Sequence, residues 1–114
     1  MKIPGVVERA AWAALGKKAE DVVALDLRTA SSFTDYFLLA SGQNQKQILA
    51  IADAVLSVLR DEGIRPNHTE GYPRQEWILL DYSGLVVHIF TPRLRVFYDL
   101  ERLWGAAARL EIRS

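Results

Sequence analysis

A chain of 114 residues is the size of one domain, since halving it would leave neither part a core large enough to offset its chain entropy. Fourteen Lys plus Arg balance fourteen Asp plus Glu, so the basic excess that phosphate binding demands is missing, and a protein partner is a better expectation than a dedicated nucleic-acid site. The absence of cysteine removes disulfides, thiolate nucleophiles and cysteine-bound zinc together.

The first residues, Met1 to Gly5, run into a stretch containing Glu8 and Arg9, which lacks the apolar region of a secretory signal. No run is long enough to predict a membrane span, so the chain reads as cytoplasmic. Val6, Val7, Ala10, Ala11, Ala14 and Leu15 predict a first helix, entered near Pro4 and left at Gly16 with Lys17 and Lys18. Val22 to Leu27 and Tyr36 to Ala40 predict two strands around a polar break at Ser31, Ser32 and Thr34. Ser41-Gly42 then turns the chain into the best-marked helix, whose stripe is Ile48, Ile51, Ala52, Val55, Val58 and Leu59. Asn44 and Gln47 suit a reciprocal cap at its start, and Gly63 a left-handed residue past its end. Arg65 to Glu70 suggests a short strand, with Pro66 favouring an edge or a strand start because it cannot donate to a ladder.

Glu76 to Asp81 and Leu85 to Phe90 flank Tyr82-Ser83-Gly84 and predict a tight hairpin. Thr91-Pro92 opens a final helical segment with Leu94, Phe97, Leu100, Leu103 and Trp104 as its apolar positions and a second start at Asp99. The order predicts an α/β (α+β) domain over residues 1–114, a mixed sheet of about five strands with packed helices and at least one parallel pair.

Catalytic groups are scarce. His68-Thr69-Glu70 resembles the H-x-E of zinc deaminases without their cysteines, and His68 with His88, even meeting across the sheet, supplies too few ligands for a catalytic zinc. Packing or a surface hydrogen bond accounts better for both. Ser41-Gly42 lacks the Lys and Ser/Thr of a phosphate-binding loop and reads as a turn. Asp21, Asp26, Asp35 and Asp81 form no D-x-D pair and read as caps or hydrogen-bonding groups. The expectation is a protein that is not an enzyme and needs no metal or other cofactor.

The last third is rich in aromatics: Tyr72, Trp77, Tyr82, Phe90, Phe97, Tyr98 and Trp104. Alternation puts Trp77, Leu79 and Asp81 on one strand face, and Glu76, Ile78, Leu80 and Tyr82 on the other. One face meets the helices. The other is either covered by the final segment or left open as a docking surface.

At Ala24-Leu25-Asp26, Ser31 to Phe37, Ser41-Gly42, Ile51 to Val55, Glu70-Gly71, Glu76 to Tyr82, Val86 to Phe90 and Phe97 to Trp104 the chain resembles the ribosomal silencing factor, or Iojap, family over nearly its whole length. The resemblance implies a nucleotidyltransferase-like sheet topology without known nucleotidyl transfer. It also implies a translational repressor that binds ribosomal protein L-fourteen on the large subunit and blocks joining of the small one. Trp77, Leu79 and Asp81 match the family's docking surface, with Glu70, Phe90 and Tyr98 as its neighbours, whereas Gln43-Asn44-Gln45-Lys46 departs from its usual Ser- and Arg-containing loop. The alternatives are a nucleotide-binding, nucleotidyltransferase-like enzyme, and a homodimer that turns the same aromatic face on itself when free of the ribosome.

Overall fold

The computed structural model describes residues 4–30, 34–103, 105, 107–110 and 112. Helix α1 (Gly5–Gly16) starts from Pro4 and buries Val7, Ala10, Ala11 and Ala14. Strands β1 (Glu20–Asp26) and β2 (Tyr36–Ser41) run antiparallel, and Asp21 with Val22 faces Ala40 in a bulge between Glu20 and Val23. Helix α2 (Gln45–Arg60) buries Ile48, Ile51, Ala52, Val55 and Leu59, five of the six residues in the expected stripe, while Val58 is only partly buried. Its cap is half as expected. The Asn44 side chain accepts from the Gln47 N–H, but Gln47 Oε1 accepts from the Gln43 N–H, one residue earlier than a reciprocal cap requires. Gly63, at φ +80, lies beyond the helix end as expected.

The short edge strand β3 (His68–Glu70) pairs with β4 (Trp77–Asp81), and β4 forms the hairpin with β5 (Leu85–Phe90). β5 lies parallel to β2. The chain ends in α3 (Pro92–Tyr98), α4 (Leu100–Leu103) and β6 (Ala108–Leu110), which adds antiparallel to β1. The sheet therefore has six strands in the order β3-β4-β5-β2-β1-β6, one more than expected. A three-residue segment carries too little alternation to reveal itself, and β6 exists because β1 offers it an edge. Trp104 lies outside the described residues, as do Ser31 and Ser32.

Helices α1 and α2 pack against one face of the sheet, where Ala24, Leu38, Ala40, Ile78, Leu80, Val87 and Ile89 lose all contact with solvent. A smaller cluster on the opposite face contains Leu25, Leu27, Phe37, Leu39, Val86 and Phe90, with Trp77, Leu79, Leu94 and Leu100 partly buried against it. Among the described residues no helix is long and apolar enough to cross a membrane.

Candidate docking site on the open face of the sheet

Trp77 opens β4, and the loop before it closes by way of Gly71. At φ +93, with a Cβ that would sit 1.8 Å from the Trp77 carbonyl oxygen, position 71 admits only glycine. The loop is tied down by the Gln75 N–H to the Gly71 carbonyl at 2.8 Å, the Thr91 N–H to the Glu76 carbonyl at 3.1 Å and the Gln45 side chain to the Arg74 carbonyl at 2.9 Å. Trp77 is thus delivered at a set height above the sheet.

Its indole N–H donates to His88 Nδ1 at 3.1 Å, and its ring lies against Phe90 and Tyr98 at centroid distances of 5.5 and 4.8 Å. An imidazole nitrogen that accepts carries no proton, so His88 is neutral here. Burial pushes its pKa down to about 4, in keeping with that tautomer. With its one polar atom satisfied inside the protein, the indole offers a partner hydrocarbon surface alone.

Cross-strand register arranges the expected docking residues in rows. Glu70, Leu79 and His88 form one row across β3, β4 and β5, His68, Asp81 and Val86 another, and Trp77 with Phe90 a third. Glu70 is exposed and lies 3.2 Å from the His68 ring, while Leu79 is partly exposed. One Asp81 carboxylate oxygen accepts from the Ser83 N–H at 2.8 Å, so this side chain also shapes the hairpin. Tyr98 is half exposed, whereas Phe90 has no accessible surface. Phe90 therefore belongs to the floor beneath Trp77. Trp77, Leu94 and Tyr98 wall a groove of about 300 Å³ with Gly71, Pro73 and Arg74.

The final segment covers this face in part, sealing Phe90 and leaving Trp77 and Leu79 partly open. Helical spacing groups Phe97 with Leu94 and Leu100, but Asp99 adopts φ 46 and ends α3. The stripe is broken there, leaving Phe97 77 % and Val96 78 % exposed. Phe97, which lies against Tyr98, escapes periodicity, which predicts its burial; the one hint was Asp99 as a second helix start.

His68 and His88 occupy different rows and do not meet. Ser41 Oγ accepts from Arg95, and a Cβ on Gly42 would come within 2.9 Å of Ile48, so turn and packing explain this pair. Asp26 pairs with Arg28 at 2.7 Å, and hydrogen bonds from that guanidinium lower its pKa. Among the described residues no three metal-ligating side chains converge.

The family model for "Ribosomal silencing factor during starvation" matches residues 1–114. The chain belongs to the ribosomal silencing factor family. It is 42 % identical over 96 residues to the ribosomal silencing factor of Halalkalibacterium halodurans, an overlap of 84 % of this chain and 82 % of that protein. A crystal structure of a Chromobacterium violaceum protein, 30 % identical, superposes with a TM-score of 0.87 over 100 % of this chain and 94 % of that one. The chain is also 25 % identical over 91 residues to a mouse protein named for mitochondrial assembly of the ribosomal large subunit, covering 77 % of this chain and 40 % of that protein. The expected mixed sheet with packed helices is thus the family's fold, and its members' names point to the ribosome.

Proposed function

We propose that this ribosomal silencing factor docks on the large ribosomal subunit through ribosomal protein L-fourteen, and that by occupying the interface it keeps the small subunit away. Such inhibition requires affinity and position but no reaction. The observation that carries the reading is Trp77: a large ring partly open to solvent, its N–H already bonded, set among Leu79, Tyr98 and the carboxylates of Glu70 and Asp81. An aromatic anchor within a polar rim is how binding energy concentrates at protein interfaces. The same surface serves a second copy when the ribosome is absent, and the protein works in the cytoplasm.

The test is co-sedimentation with purified large subunits, followed by measuring subunit joining on a gradient. Trp77→Ala is expected to cost about 2 kcal/mol of binding, roughly thirtyfold in affinity. Tyr98→Ala serves as the companion variant, because it leaves the indole–imidazole bond in place. Full binding by both folded variants would remove this face from the interface.

A further inference from the structure

Helix α3 presents Tyr98 against Trp77 and Phe97 against Tyr98, yet the only buried residue in its seven positions is an arginine. Arg95 is 7 % exposed and lies over the Phe90 ring, 5.7 Å from its centroid. Nη1 donates to the Asp21 carbonyl at 2.6 Å and to Ser41 Oγ at 2.9 Å, and Nε donates to Glu101 Oε1 at 2.9 Å. Glu101 is held in turn by Arg109 at 3.2 Å. These contacts reach the bulge of β1, the end of β2, helix α4 and strand β6 from one guanidinium. The bulge itself, where Asp21 takes φ 50, aims its carbonyl away from the ladder and at Arg95.

Little else restrains the helix on that side. A cavity of about 420 Å³ adjoins it, lined by Asp21, Val23, Ser41, Pro92, Val96 and Arg109 among others, so the apolar side chains there do not fill that side. On the other side Leu94 makes a partly buried contact. We infer that Arg95 is a positioning residue of the docking surface: its guanidinium, clamped by Ser41, the Asp21 carbonyl and Glu101, sets the height and rotation at which α3 presents Tyr98 and Phe97 next to Trp77. The inference rests on the docking role proposed above and gives the Ser41 hydroxyl a use that phosphate binding did not. A planar fork with several donors is needed because its acceptors lie in different directions, a geometry that lysine cannot reproduce.

Two measurements on the full chain test this. In the free protein, Arg95→Met is expected to raise amide exchange at residues 93–99 while β4 and β5 keep their protection. In co-sedimentation with large subunits, Arg95→Met should lower affinity about tenfold, Arg95→Lys about threefold and Ser41→Ala about twofold. Combining Arg95→Met with Tyr98→Ala should cost little more than the worse single change, because Arg95 acts through the surface that Tyr98 belongs to. Losses that multiply, or α3 amides as protected in Arg95→Met as in the parent, overturn the inference. If Arg95→Met does not fold, Arg95→Lys and Ser41→Ala make the same comparison. Failure of the docking reading looks different: Trp77→Ala and Tyr98→Ala then bind normally, while the exchange experiment still reports on the clamp.

Discussion

Helices α2 and α3 lie on opposite faces of one sheet and are held there by opposite means. The sixteen residues of α2 bury five aliphatic or alanine side chains completely, whereas the seven of α3 bury one cation. Apolar burial acts in every direction and tolerates small shifts, so the α2 face makes a strong, self-sufficient core. A guanidinium clamp is directional: it sets one pose for a short helix while leaving Val96, Phe97 and Tyr98 outside. The difference shows how a small domain keeps a stable body and still exposes aromatic side chains at one corner.

The sharpest way to break the comparison is Ile51→Ala. It removes a fully buried side chain from α2 and should cost about 4 kcal/mol in denaturant unfolding. Refolded variant protein should still bind, because the docking face lies across the sheet.

Acidification probes the opposite face through His88. Folding depresses its pKa, so between about pH 6.5 and about 4 the unfolded chain takes up a proton that the folded one refuses. Stability is complete above that window and declines as pH falls through it, by about 3 kcal/mol at most. Unfolding curves collected across that range should flatten in His88→Phe if the imidazole is responsible. Below the window Asp26 and Glu101 add their own losses, since hydrogen bonds from Arg28 and Arg95 respectively lower their pKa values.

Gly71→Ala combines a strained φ, about 1–3 kcal/mol by itself, with a Cβ 1.8 Å from a backbone oxygen, so the 71–76 loop must shift. Its effect on docking should be larger than that figure suggests, because the atom it displaces is the Trp77 carbonyl. Binding lost in proportion to stability alone would show that the 71–76 loop does not set the indole.

The docking candidates illustrate how far residue patterns reach. Alternation correctly put Trp77, Leu79 and Asp81 on the face away from Ile78 and Leu80, since side chains in a strand change sides at every step. It gave no way to separate Phe90, which lies opposite Trp77 in the next strand, from a residue that meets a partner. Only the return of the chain through Leu94 and Arg95 seals Phe90. Phe97 failed in the reverse sense, because helical spacing assumes an uninterrupted helix and Asp99 interrupts it.

What the residue order determined by itself was local: the α2 stripe, the β4–β5 hairpin, the faces of each strand, and a composition without thiols or excess charge. These follow from periods of 3.6 and 2 and from turn residues a few positions apart. The tertiary structure alone decided that β2 lies parallel to β5, that β6 closes the sheet, and that Ser41 and Asp21 wait 54 and 74 positions away for the guanidinium of Arg95. Contacts at such separations leave no periodic trace, because they depend on where the whole chain has already been folded.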